Sequence, residues 1–224
     1  MEAIFFYFFG VNWQSYIFHA SFINAFLTLF TFLVLKNFKL ETKFCFIYAL
    51  LFSILAYPSS GTPFVDHHSA FLSLCGIYSL LLFVNNKDKK YLILMPIFLI
   101  LAFLSKQVPA FYLIFFISLI LVLYSIRDKT LIYIKYSLIT SIIFVFLLIL
   151  FGKIQGIKFN LFIEQYILYP QTIGSERFSN FNLSFGDILD KFKFIYFVMI
   201  PLFIVFFDKK FKKKKYFKKK IKKN

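Results

Sequence analysis

Asp66, His67 and His68 are adjacent ionisable residues in the segment YPSSGTPFVDHHSAF, where a Pro-, Gly- and Ser-rich turn leads into a long apolar run. A carboxylate beside imidazoles can transfer protons, bind a metal ion or contact a substrate. Neighbouring histidines point in different helical directions, which disfavours chelation of one ion by both. The three residues are therefore catalytic candidates, with a divalent metal ion as an open option. The simpler interpretation is a solvated helix start, with Asp66 stabilised by the helix dipole.

Lys106 and Arg177 are two cations that could bind an anion such as a phosphate. Lys106 interrupts a long apolar stretch just before Pro109, and the nearest acidic residue along the chain is Asp88. Because Asp88 is expected at the opposite end of the apolar helices, a phosphate is the predicted partner of the Lys106 ammonium. Arg177, in TIGSERFSN, suits a bidentate phosphate contact. A snorkelling Lys106 and a merely solvated Arg177 are the competing interpretations.

The elements that must position these residues are apolar blocks. Of the 224 residues, 60% are hydrophobic and 23% aromatic, which is more apolar surface than a water-soluble core of this size can bury. The blocks have no polar face, as in SIIFVFLLILF at 141–151. Such blocks are typical of membrane-spanning helices, whereas a barrel strand alternates polar and apolar residues. The predicted fold class is an all-α, polytopic membrane helix bundle, with Cys45 and Cys75 as buried thiols.

Seven apolar blocks predict about seven spans, at 16–35, 44–57, 69–84, 91–104, 108–126, 131–151 and 193–207. The predicted organisation follows from these blocks: an external N-terminal segment at 1–15, a six-span membrane bundle at 16–151, an external loop at 152–192, the last span at 193–207 and a cytoplasmic polybasic tail at 208–224.

Basic residues concentrate in alternate connections between the blocks. These are Lys36, Lys39 and Lys43, then Lys87, Lys89 and Lys90, then Arg127, Lys129 and Lys135, and finally eleven lysines from Lys209 to Lys223. Basic connections stay in the cytoplasm. The N-terminus, the Asp66 segment, the turn at Lys106 and the 152–192 loop are therefore predicted outside a cell membrane, specifically a bacterial inner membrane. Topology and binding to membrane lipids account for the lysines of the tail, so no nucleic-acid partner is predicted.

Two helical signals lie in the predicted external loop. The segment KFNLFIEQYILYPQ at 158–171 mixes apolar, aromatic and polar residues, which predicts an interfacial helix that ends at Pro170. Ser184 followed by Asp187 predicts a capping box that starts a helix leading into the last span.

Three segments resemble the GT-C-fold glycosyltransferases, in particular the branch of protein mannosyltransferases and of aminoarabinose and lipopolysaccharide-core sugar transferases. FFGVNWQSYIFHASFINAFLTLFTFLVLKNF resembles the Phe-Gly-x-Asn/Ser start of a mid-bundle span. YPSSGTPFVDHHSAFLSL resembles a loop with an Asp before the next span, and LILMPIFLILAFLSKQVPAFYL resembles a span that ends in a Ser/Thr-Lys step. The resemblance covers roughly residues 5–130.

This resemblance implies transfer of a hexose or pentose from a polyprenyl-phosphate donor to a lipid, glycan or protein acceptor at the outer face of the membrane. Lys106 and Arg177 would hold the carrier phosphate, and Asp66 with His67 or His68 would line the sugar or acceptor site. The carboxylate that the family carries in its first external loop has no counterpart here, so an N-terminally truncated fragment is expected. The alternatives are a transporter or flippase of lipid-linked anions and a non-catalytic membrane partner.

Overall fold

The computed structural model describes residues 2–56, 65–173, 184–193, 195–197, 199–201 and 203–204. Every regular element in these ranges is a helix, which confirms the all-α prediction for the described part of the chain. The chain divides into two compact units, Met1–Gly156 and Ile157–Asn224, and each is described by itself.

The described residues of the first unit form seven helices. They are α1 (Glu2–Phe9), α2 (Trp13–Asn37), α3 (Thr42–Leu55), α4 (Val65–Asn86), α5 (Lys90–Ser105), α6 (Gln107–Arg127) and α7 (Ile132–Ile154). Helices α2 to α7 coincide with the first six predicted spans, with ends that differ by a few residues. Four of them, α2, α4, α6 and α7, are long and apolar enough to cross a membrane. Helices α3 and α5 are shorter, with 14 and 16 residues.

The described part of the predicted external segment 1–15 consists of α1, a capped turn and the first residues of α2. The Phe5 ring of α1 packs 5.7 Å from the Phe18 ring of α2. The chain then turns at Gly10, whose φ of +78° favours glycine. Asn12 caps α2, because its Oδ1 accepts a hydrogen bond from the Ser15 N–H at 2.8 Å. This segment therefore packs against the first span instead of only leading into it.

The three basic connections of the first unit meet at one end of its helices. Asn85 Nδ2 donates to Asn37 Oδ1 at 2.7 Å, which joins the α2–α3 connection to the end of α4. Lys87 Nζ lies 3.0 Å from Asp128 Oδ2, which joins the α4–α5 and α6–α7 connections. Each connection also contains a lysine with positive φ, a conformation more usual for glycine: Lys39, Lys87 and Lys129.

The largest apolar cluster of the first unit lies between α4, α5 and α6, at Leu80, Phe83, Leu92, Met95, Leu99, Ile117 and Leu121. Gly76 lets α4 approach α5 closely, since an added Cβ would lie 2.7 Å from Leu99 Cδ2. Small residues serve this purpose in membrane helices. Cys45 and Cys75 are buried and free, as predicted. None of the residues of α7, all of which the structure describes, is buried, as suits a helix that faces lipid.

In the second unit, helix α8 (Phe159–Ile163) continues as a π-helix over Glu164–Leu168 and stays helical to residue 173. The prediction that this helix ends at Pro170 is therefore wrong. A proline inside a helix lacks an N–H and crowds the carbonyl four residues earlier. The Tyr169 N–H bonds to the Glu164 carbonyl, five residues back, and this wider turn leaves room for the ring of Pro170.

Helix α9 (Phe185–Lys191) begins with the predicted capping box. The Asp187 N–H donates to Ser184 Oγ at 3.1 Å, and the Ser184 N–H donates to Asp187 Oδ2 at 3.2 Å. The Ser184 hydroxyl, which donates to Asp187 Oδ2 at 2.6 Å, and then the Ser184 N–H lower the pKa of the Asp187 carboxyl from its ordinary value. Of the predicted last span, 193–207, the described positions are helical, and the predicted tail at 208–224 lies outside the described residues.

Candidate functional site

Asp66 and Lys106 meet at one end of the first unit. Asp66 lies in the first turn of α4, as the sequence predicts. Lys106 forms the turn between α5 and α6 in an extended conformation. The Lys106 ammonium makes an ion pair with Asp66 Oδ1. Ser69 Oγ, one turn further along α4, donates to the Lys106 carbonyl at 3.2 Å. Two contacts therefore hold the start of α4 against the α5–α6 turn.

This ion pair lies opposite the basic connections. Helix α4 begins beside Asp66 and ends at Asn86, where its neighbour Asn85 bonds to Asn37. A helix of 22 residues is about 33 Å long, roughly the thickness of a bilayer's hydrocarbon core. The Asp66–Lys106 pair and the lysine-rich connections are therefore separated by the length of one span.

Within the described residues, the acidic partner of Lys106 is Asp66. Sequence distance pointed to Asp88, but the folded chain places Asp66 beside the ammonium. Asp88 instead pairs with Lys90 at 2.9 Å, and this contact lowers the pKa of Asp88. A phosphate is not needed to satisfy Lys106, so its role as a phosphate ligand stays a prediction that the described contacts do not test.

The Asp66–Lys106 pair is accessible to a ligand. The side chain of Asp66 is 59% exposed and that of Lys106 is 45% exposed among the described residues. Exposed ion pairs are weak, because water and salt screen them. A charged ligand could therefore exchange with either partner at small cost.

The two adjacent histidines point in different directions, as predicted. The His68 ring is buried and lies 4.9 Å from the ring of His19 on α2, which is also buried. The His67 ring is partly exposed and lies 6.2 Å from the Phe71 ring. His67 is therefore nearer to solvent, and His68 forms part of the contact between α2 and α4.

His19 and Ser69 are the site residues that sequence reasoning missed. Both residues could have been recognised in the sequence. For His19, an imidazole inside an apolar block costs free energy in a membrane and is therefore a candidate functional residue. Ser69 follows Asp66 by three positions, which places both on one face of a helix. The contact of His19 with His68 joins two predicted spans, and no spacing rule within one span could have found it.

The described residues provide no contacts for two predicted roles, which are metal binding at Asp66, His67 and His68 and phosphate binding by Arg177. Within those residues, His, Cys, Asp and Glu side chains form no group of three or more that could hold a metal ion. The option of a divalent ion at Asp66, His67 and His68 therefore stays a prediction. Arg177 lies outside the described residues, so its predicted phosphate contact cannot be placed.

The opposite end of the first unit contains a charged network centred on Asp128. Arg127 Nε donates to Asp128 Oδ1 at 2.8 Å, and Lys87 Nζ and Tyr133 Oη each donate to Oδ2 at 3.0 Å. Arg127 is the largest cause, followed by Lys87, of a pKa of Asp128 held well below its usual range. This network joins two basic connections and has the character of a structural contact.

Comparison with protein-family models, with curated proteins and with solved structures finds no match to this chain.

Proposed function

We propose that the chain is a membrane glycosyltransferase that moves a sugar from a polyprenyl-phosphate carrier to an acceptor at the outer face of a cell membrane. The observation that carries this proposal is the exposed Asp66–Lys106 pair at the end of the helices opposite the basic connections. In such a transfer the acceptor hydroxyl loses a proton and the carrier phosphate gains negative charge. A carboxylate can accept the proton, and a neighbouring ammonium can stabilise the phosphate.

The proposed topology has about seven spans, with α2 to α7 as the first six and 193–207 as the last. The N-terminus and the 152–192 loop lie outside, and the C-terminus lies in the cytoplasm. The meeting of the basic connections through Lys87 and Asp128 supports this orientation, because basic residues favour the cytoplasmic side. Helices α3 and α5, about 21 and 24 Å long, would cross where the bilayer thins locally.

In the proposed reaction, an acceptor hydroxyl attacks the anomeric carbon of the lipid-linked sugar. The bond from that carbon to the phosphate oxygen breaks as the new glycosidic bond forms. Asp66 would accept the hydroxyl proton, and Lys106 would hold the departing phosphate of the carrier. Substrate binding must separate the pair, which the exposure of both side chains favours.

His67 is the better-placed histidine for the sugar or acceptor, because its ring is partly exposed next to Asp66. His68 would support the site from within through its contact with His19. Arg177 is proposed as a second phosphate ligand, on its residue type and predicted side of the membrane alone.

A transporter or flippase of lipid-linked anions is the second candidate. Transporters commonly use helices that are interrupted near the middle of the membrane. Helix α5 continues through Pro96, and the non-helical Val108 lies at the start of α6. The described helices therefore favour the transferase. Transport and a non-catalytic partner role are the functions that remain if the experiment below finds no sugar transfer.

The glycans of the cell envelope test the proposal in cells that produce the chain. Asp66→Asn should remove one glycosylated species, measured by mass spectrometry, and leave its unsubstituted acceptor and the loaded carrier in excess. Lys43→Gln, an exposed change at the opposite end, is the control and should leave the glycans unchanged. An unaltered glycan profile in the Asp66→Asn cells would contradict the proposed role of Asp66.

A further inference from the structure

A groove of about 710 Å³ runs between α5 and α7 in the first unit. Its walls are apolar over most of their length, at Ile93, Ile97, Ile132, Ile139, Ile143, Phe144 and Leu147. Two lysines and one tyrosine, Lys89, Lys135 and Tyr136, line the same groove at the lysine-rich end of the helices. The groove therefore has one cationic end and a long apolar part.

The cations of this groove differ from their neighbours in their contacts. Lys87 and Lys90 each form an ion pair, with Asp128 and Asp88 respectively. Within the described part of the chain, neither Lys89 nor Lys135 lies within ion-pair distance of a carboxylate. The Lys89 ammonium lies over the Tyr136 ring, 5.2 Å from its centroid. Both ammonium groups therefore keep donors for an external anion.

The length of the groove matches one leaflet of a bilayer. Along α7 the lining extends from Ile132 to Leu147, and the part from Lys135 onward is about 18 Å long. Half of a hydrocarbon core is roughly 15 Å. A lipid with its phosphate at Lys89 and Lys135 would therefore place its acyl chains along the isoleucines and end near the middle of the membrane.

We propose that the groove between α5 and α7 binds an anionic phospholipid of the leaflet on the lysine-rich side, with its phosphate between Lys89 and Lys135. A second helix or a second copy of the chain would cover the apolar walls, whereas an anionic lipid fills the walls and also places its phosphate at the two cations. A neutral lipid would fill the walls without meeting the positive charge. This site is separate from the Asp66–Lys106 pair and does not depend on the proposed transferase function.

Fluorescence quenching tests the site in the full chain. Trp13 is the single tryptophan, so Trp13→Phe with Phe144→Trp places one reporter in the groove wall. The protein is reconstituted in phosphatidylcholine vesicles that contain either phosphatidylglycerol or phosphatidylcholine with brominated chains. We expect half-maximal quenching at an about tenfold lower mole fraction of the phosphatidylglycerol, and a smaller preference at high salt.

Charge removal makes the test specific to the two lysines. In the same reporter background, Lys89→Gln with Lys135→Gln should abolish the preference for phosphatidylglycerol. Lys43→Gln with Lys129→Gln removes the same charge at the same end outside the groove lining and should keep the preference. If the first pair of changes lowers the helix content, Lys135→Gln alone should still reduce the preference about threefold.

Equal quenching by the two brominated lipids in the unaltered reporter protein would overturn the proposal. A preference that survives removal of both groove lysines, or that falls equally in the control pair, would also overturn it. The reporter protein with both groove lysines in place does not depend on how a lysine variant folds. Its response to the two brominated lipids therefore tests the proposal even if the lysine variants lose structure.

Discussion

The Lys106 ammonium forms an ion pair with the Asp66 carboxylate, which joins the turn between α5 and α6 to the first turn of α4. Because both side chains are about half exposed, the pair should contribute little to folding. Lys106→Met should change the free energy of unfolding by less than about 1 kcal/mol, measured by denaturant titration in detergent. Asp66→Asn should behave alike. A loss above about 3 kcal/mol in either variant would identify the pair as a buried structural contact instead.

The close approach of α4 and α5 predicts that Gly76→Ala is destabilising. The added Cβ would lie 2.7 Å from Cδ2 of Leu99, a side chain that is only 4% exposed and has little space to move. The expected loss is about 1–3 kcal/mol in the free energy of unfolding. Combining Gly76→Ala with Leu99→Ala should cost less than the sum of the two single changes. Strict additivity would show that these two residues do not collide.

The charged network at Asp128 predicts a dependence of stability on pH. Since the pKa of Asp128 is lowered on folding from an ordinary value of 3.8, its contribution is present above that pH and is lost as the pH falls further. Asp128→Asn should therefore lower the midpoint of thermal unfolding at pH 7 and have a smaller effect near pH 3. Asp190→Asn, an exposed change in the second unit, is the control. An equal effect of Asp128→Asn at both pH values would contradict the role of the charge.

The proposed topology predicts which introduced cysteines react in intact cells. In a background with Cys45→Ala and Cys75→Ala, a cysteine at Lys158 should react with a membrane-impermeant maleimide without permeabilisation. A cysteine at Lys43 should react only after permeabilisation. The reverse pattern, or equal labelling at both positions, would contradict the orientation derived from the basic connections.

The sequence predicted elements better than contacts. Unbroken apolar blocks located α2 to α7 within a few residues, and the spacing of Ser184 and Asp187 located the start of α9. The prediction that the helix starting at Phe159 ends at Pro170 was wrong, because a π turn before Pro170 accommodates a residue that ordinary helix rules exclude. The ion pair of Lys106 with Asp66 was not predicted, because a turn between two helices brings together residues that are distant in sequence. His19 was missed for the same reason, since its contact with His68 is set by the packing of α2 on α4.

Sugar transfer in detergent-solubilised membranes tests whether Asp66 and Lys106 form the transferase site. Detergent dissolves the bilayer, so a flippase has no second side to which it could move a lipid. A polyprenyl phosphate with a radiolabelled sugar is supplied to membranes that contain the unaltered chain, Lys106→Met, Asp66→Asn or the control Lys43→Gln. We expect label in the acceptor fraction for the unaltered chain and the control, and a loss of about a hundredfold or more for Asp66→Asn. Lys106→Met should lose transfer mainly through weaker use of the carrier. Undiminished transfer by both Asp66→Asn and Lys106→Met would contradict the assignment of this pair as the site.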